Sequence, residues 1–159
     1  MFESSVYQNR RRALQGLMAE RTSEGSRGLA VFLGNNEAPM AYRGNDYKFR
    51  QDSSFLYFWG IDEPGFAAVI DLDDASECLY GNDVDIDDII WMGPQPSVAS
   101  KGELVGCPRT APFAAFEKAV AEAVAKGRPV HFLPVQHPKY HLIIKCNLQM
   151  TGKAAPVSC

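Results

Sequence analysis

The chain has 159 residues, 46% of them hydrophobic and 22% charged, enough for one domain with a sizeable core. A net charge of -3 leaves no basic surplus for gripping a phosphate backbone, which argues against nucleic acid as the main partner. No run of about 18 apolar residues is present to span a bilayer, and the N-terminal MFESSVYQNRRR carries charges where the apolar core of a secretory leader would fall.

From the N-terminus, Ser4 or Ser5 is placed to cap a helix running to about Arg21, with Val6, Leu14, Leu17 and Met18 as its apolar stripe. The basic run Arg10-Arg11-Arg12 falls inside this helix and reads as a solvated face. TSEGSRG breaks the helix. GLAVFLG, 28–34, is a short apolar run bounded by glycines, the pattern of a buried strand. NNEAPMAYRGNDYK, 35–48, is rich in turn formers and reads as a long loop, a kind of segment that often carries function in compact domains.

Asp52 or Ser53 is placed to cap a short helix through Phe58, with Gly60 ending it. FAAVIDL, 66–72, and ECLYG, 77–81, read as two strands of a hairpin turning at Asp73-Asp74. Asp87 to Met92 fits one helical turn. PFAAFEKAVAEAVAK, 112–126, is the clearest helix: Phe113, Phe116, Val120 and Val124 share a face, Lys118 and Glu122 oppose them, and Gly127 stops it. PVHFLP, 129–134, is a further strand, Tyr140 to Leu148 fits a last helix, and TGKAAPVSC, 151–159, reads as an unstructured tail. Alternating helices and strands indicate an α/β layer fold. No internal repeat or linker divides the chain.

The residues offer little chemistry of their own. His137 and His141 are four apart, but Pro138 stands between them and no H-E-x-x-H frames them, so loop and helix-start roles are favoured over a metal pair. In NDVDIDD, 82–88, Asp83, Asp85 and Asp87 alternate as in a calcium loop, yet Asp88 and Pro94 stand where that loop needs glycine and glutamate. No G-x-S-x-G, G-x-x-x-x-G-K-[ST] or G-x-G-x-x-G occurs. Carboxylate pairs such as Asp62-Glu63 and Asp71/Asp73 are too common to mark a catalytic dyad. The cysteines Cys78, Cys107, Cys146 and Cys159 form no C-x-x-C and read as reduced thiols of a cytoplasmic protein.

One stretch stands out. FRQDSSFLYFWGIDEPG, 49–65, packs five aromatics into the eleven positions from Phe49 to Trp59. Such a cluster suits a core corner or an interface. Phe49, Phe55 and Phe58 read as structural, and the Arg50 guanidinium suits tying loop carbonyls or a carboxylate. In IIWMGPQPS, Trp91 follows an apolar turn and is a candidate for binding as well as for packing.

At these residues the sequence resembles the creatinase-like N-terminal domain of Xaa-Pro aminopeptidases and prolidases. FLGNNEAPMAYRGNDYKFRQDSSFLYFWGIDEPGFAAVIDLDD is similar to that family's strand, loop, F-R-Q-x-S segment, glycine, E-P-G and following strand, in order. IIWMG, 89–93, is similar to its tryptophan-containing segment. The likeness covers roughly residues 1–135, and the segment after about Gln136 departs from it.

The resemblance implies a three-layer α/β/α domain over 1–150 with a mixed sheet of about six strands, followed by the 151–159 tail. It implies no catalytic or metal residue in this chain. In the family a C-terminal pita-bread domain, absent from this chain, holds two manganese or zinc ions and cuts the bond before proline. It further implies a second subunit as partner, since these domains support oligomers, often dimers, and help close the active site of a neighbour. Trp91 matches the tryptophan lining the substrate entrance, with Tyr42 and Arg43 as weaker candidates there. Phe49, Arg50, Asp52, Gly60 and Pro64 then form a packed junction behind it. Alone, the chain is expected to be inactive on peptides with proline second. The alternative is a stand-alone peptide- or protein-binding module, a use with family precedent in a histone chaperone. An unrelated α/β enzyme is least favoured, because the motif order would then be coincidence.

Overall fold

The computed structural model describes residues 2–22, 27–42, 45–84, 93 and 95–133. Among these residues four helices and five strands follow in chain order: α1 (Ser4–Arg21), β1 (Leu29–Leu33), α2 (Ser53–Trp59), β2 (Ala67–Asp71), β3 (Glu77–Tyr80), α3 (Val98–Leu104), β4 (Thr110–Ala111), α4 (Phe113–Ala125) and β5 (Val130–Phe132). The expected helical turn at 87–92, the helix at 140–148 and the tail at 151–159 lie outside the described residues.

Along the three central strands the side chains alternate between two apolar layers, as a pleated strand requires. Ala30, Phe32, Ala68, Ile70 and Leu79 face one way, onto Tyr7 of α1, Phe55 and Trp59 of α2, and Val98 of α3. Leu29, Val31, Ala67, Val69, Cys78 and Tyr80 face the other way, onto Phe116, Val120, Ala123 and Val124 of α4. Both faces are covered, so β1 and β2 read as unbroken apolar runs rather than as alternation. The result is a three-layer α/β/α sandwich. Its sheet has the order β4-β3-β2-β1-β5 among the described residues, five strands where about six were expected. β1–β2 and β2–β3 pair antiparallel, and β1–β5 and β3–β4 parallel.

α4 ends as its sequence predicts. Gly127 is left-handed (φ 69°), its N–H donates to Val124 O, and Arg128 N–H donates to Ala123 O, the paired bonds of a Schellman stop. Arg128 then reaches the β2–β3 turn, where Nη2 lies 2.6 Å from both Asp71 Oδ1 and Asp73 Oδ2. These partners hold its guanidinium firmly protonated.

Helix α1 departs from expectation. Its N-cap is Glu3, with no side-chain capping bond, and Ser4 and Ser5 lie within the helix. The buried residues are Tyr7 and Arg11, with Leu14 and Met18 packed beside them, a 4-3-4 spacing along one face. Leu17, expected inward, is 54% exposed because it falls off that face. The basic run is not one solvated surface. Arg12 is exposed, Arg10 stacks 4.0 Å over the Tyr57 ring, and Arg11 is 0% exposed. Its Nε donates to Glu77 Oε2, and its two terminal nitrogens donate to the carbonyls of Phe58, Val105 and Gly106. A planar five-donor group is the side chain that can satisfy so many acceptors in a dry site.

Helix α3 and the short β4 had no clear signal in the sequence. Ser97 caps α3, accepting from Ser100 N–H, and Asp83 Oδ1 accepts from Val98 N–H at 2.6 Å, so an acidic-run residue closes the start of this helix.

Candidate functional site

The aromatic stretch is a core corner. Asp52 caps α2 by accepting from Phe55 N–H at 2.8 Å, and Gly60 ends it in the left-handed region (φ 68°). Between these stops Phe55 and Trp59 point inward and are fully buried. The Phe32 ring of β1 meets Phe58 at 5.1 Å and Trp59 at 6.0 Å between centroids. Gly60 is also a close approach: a Cβ there would lie 2.2 Å from the Tyr7 ring.

Residues 35–50 leave the end of β1 and return to α2. Their described part is ordered by its own backbone. Pro39 and Asp46 form an antiparallel bridge, Met40 N–H donates to Asn45 O, and Tyr47 N–H donates to Ala38 O. This makes a hairpin-like arm, and it carries Met40, Tyr42 and Tyr47 exposed to solvent, Tyr42 the most at 69%.

The base of the arm is held by Gln51, only 4% exposed. Its Oε1 accepts from Asn35 N–H at 2.6 Å and from Asp52 N–H at 2.9 Å. Its Nε2 donates to Ile61 O at 3.0 Å and to Glu63 O at 2.7 Å. One carboxamide thus joins both ends of the loop and fastens them to the Ile61-Asp62-Glu63-Pro64-Gly65 turn. Asn35 Nδ2 adds a bond to Arg50 O at 2.9 Å. Tying the loop therefore falls to Gln51 and not to the Arg50 guanidinium: Arg50 is exposed and contributes its carbonyl. The turn is held from the other side by Lys101 of α3, whose Nζ lies 2.5 Å from Glu63 Oε2.

Of the residues singled out from sequence, Tyr42 stands exposed on the arm, while Trp91 and Arg43 lie outside the described residues. Phe49 and Pro64 are half-buried beside the junction, Asp52 caps α2 and Gly60 terminates it. Gln51, Asn35 and Lys101 went unassigned, although Gln51 stands inside the motif that drew attention. His131 Nε2 sits 2.9 Å from Arg27 O, and His137, His141, Asp85, Asp87, Cys146 and Cys159 lie outside the described residues. Among the described residues no three His, Cys, Asp or Glu side chains gather to hold a metal, and no helix is long and apolar enough to cross a membrane.

A groove of about 240 Å³ opens between α4 and the β2–β3 hairpin, with Cys78 and Tyr80 in its wall. Both are buried: Cys78 carries a free thiol, and burial pushes both the Cys78 thiol and the Tyr80 phenol upward. At its rim Lys126 pairs with Glu122, and Arg128 with Asp71. Asp74, Ser76 and Arg109 also line the groove.

The geometry defines a three-layer α/β/α domain that projects an anchored arm from the end of β1. The chain belongs to the aminopeptidase P N-terminal domain family, whose profile matches residues 7–131. A probable Xaa-Pro aminopeptidase of Ajellomyces dermatitidis is 34% identical over 68 residues, 43% of this chain and 13% of that protein. A structure of Escherichia coli aminopeptidase P, a histidine-to-alanine variant, matches with a TM-score of 0.74 and 24% identity, covering 96% of this chain and 34% of that one. Proline aminopeptidase P II from Yersinia pestis matches with a TM-score of 0.69 and 22% identity, covering 93% of this chain and 33% of that one. The fold is therefore that of aminopeptidase P's N-terminal domain, and the chain spans about a third of the length of these solved relatives.

Proposed function

We propose that this chain is the non-catalytic N-terminal domain of an Xaa-Pro aminopeptidase and shapes the path by which a peptide with proline second reaches the active site. On this reading the catalytic domain of the complete enzyme holds two manganese or zinc ions that activate water for hydrolysis, and this domain supplies none of their ligands. The observation that carries the reading is the anchored arm, which holds Met40, Tyr42 and Tyr47 exposed on a rigid base in a chain of this family. Apolar and aromatic side chains held in solvent at little entropic cost suit contact with a peptide. A contribution to oligomers is supported by Phe2 and Tyr57, exposed on either side of Arg10, a composition common at interface cores.

The test is kinetic. In the complete enzyme Trp91→Ala and Tyr42→Ala should each raise KM for an Xaa-Pro peptide severalfold, with kcat nearly unchanged, the mark of lost binding outside the chemical step. The isolated chain should show no manganese-dependent cleavage of the same peptide. Parental KM in both variants would remove the entrance role, and turnover by the isolated chain would remove the non-catalytic one.

A further inference from the structure

We infer that Gln51 is a positioning residue for substrate: it sets where the arm bearing Met40, Tyr42 and Tyr47 stands, without touching substrate itself. The inference rests on the entrance role proposed above and extends it to a buried residue.

Three observations carry it. First, Gln51 is almost fully buried, so any influence on a peptide must pass through what it holds. Second, its amide is matched on both sides. Two N–H groups face Oε1 and two carbonyls face Nε2, so rotating the amide by half a turn would lose all four bonds. Only a carboxamide of this length meets that pattern. A glutamate would turn an oxygen toward the carbonyls of Ile61 and Glu63, and a leucine would leave all four groups unpaired. Third, the backbone makes room for it. A Cβ on Gly34 would lie 3.2 Å from both amide atoms of Gln51 and 2.8 Å from Phe66 O, so the glycine at the end of β1 lets the amide sit against the chain.

The arm's internal bonds, Met40 to Asn45 and Ala38 to Tyr47, are separate from these. The arm therefore behaves as one body, and its orientation is set at its base. Loosening the base shifts Met40, Tyr42 and Tyr47 while the sheet stays intact.

Two measurements test this. In the 159-residue chain, Gln51→Leu should speed amide hydrogen exchange at Asn35 and Asp52 at least tenfold, and leave β1 and β2 near parental rates. In the complete enzyme, Gln51→Leu should raise KM about tenfold and keep kcat within twofold. In a background of Met40→Ser, Tyr42→Ser and Tyr47→Ser the same substitution should have no further effect on KM. Where Gln51→Leu does not fold, Gln51→Glu, which keeps the two accepted bonds and loses the two donated ones, serves in its place, with a shift in the same direction. Faster exchange throughout β1 and β2, or a full Gln51 effect in the triple-serine background, would make Gln51 a mere core residue and overturn the inference while leaving the entrance role standing. Parental KM in the triple-serine enzyme would overturn both.

Discussion

Arg11 Nε and Glu77 Oε2 lie 2.7 Å apart, joining the middle of α1 to the first residue of β3 across the helical layer. Arg11 is wholly buried and lies 4.5 Å from the Trp59 ring, while Glu77 keeps some contact with water and also accepts from Gln15. One side chain thus fastens α1 to the ends of α2 and α3. Arg11→Ala should destabilise the domain by about 3–5 kcal/mol, because it leaves Glu77 without its cation and takes the Arg11 donors from the carbonyls of Phe58 and Val105. Arg11→Lys should recover little of this, since one ammonium cannot reach the same acceptors. Urea unfolding of the isolated chain measures both, and a loss below about 1 kcal/mol for Arg11→Ala would refute the clasp.

Alkaline pH should weaken the fold through Cys107. Burial pushes this thiol from its ordinary value near 9 up to about 11. An acid whose folded value is raised holds its proton longer when folded, so its contribution is intact below pH 9 and declines as pH rises toward 11. The loss should reach about 2–3 kcal/mol at the top of that window. The Cys107→Ala variant should lose less stability than the parent between pH 8.5 and 11, an interval set by the same thiol shift at about 1.4 kcal/mol per unit. Identical pH slopes for the two would exclude the thiol as the source.

Gly60→Ala should be among the most damaging single changes. It forces a side chain into left-handed backbone, costing about 1–2 kcal/mol, and drives a methyl into the Tyr7 ring, adding about 1–3 kcal/mol. A fall in thermal midpoint of about 4–20 °C is expected for a domain of this size. Paired with Tyr7→Ala, which removes the obstructing ring, the substitution should cost less than it does alone, and additive losses would count against the clash.

The Lys101–Glu63 pair is half in water, with the Glu63 side chain 50% exposed. Glu63→Gln should cost about 1–2 kcal/mol, more than an open surface pair, because Lys101 is left nearly buried without its counter-charge. The difference between parent and variant should shrink in molar salt. A constant difference across salt would point to packing rather than charge.

How much was legible follows from where each residue's partners lie. β1, β2, β3 and α4 announce themselves because both faces of the sheet are covered and the helix ends at a glycine. The caps of α2 were readable because Asp52 and Gly60 act on their own neighbours. Arg11 was misread and Gln51 left unassigned for the opposite reason. Each bonds to carbonyls or amides that sequence position does not bring near: Arg11 reaches Val105 and Gly106, Gln51 reaches Asn35 and Glu63. A polar residue in a helix or beside aromatics looks solvated until the fold supplies its acceptors. The arm was legible as a loop, but the bonds that order it were not. α3 is only seven residues long and lacks a periodic stripe, which is why it escaped notice.

The pairing of β1 with β5 has a consequence for biosynthesis. Leu29 meets Val130 across about a hundred residues of intervening chain, whereas β1 finds β2 within about forty residues and β3 follows β2 directly. As the polypeptide leaves the ribosome, the antiparallel core has its partners early, and one flank of β1 stays open until Phe132 emerges. For that interval an apolar strand offers an unpaired edge, the feature that invites mispairing. The yield of folded domain should therefore depend on how promptly the stretch through β5 follows, and a pause in translation just before it should favour aggregation.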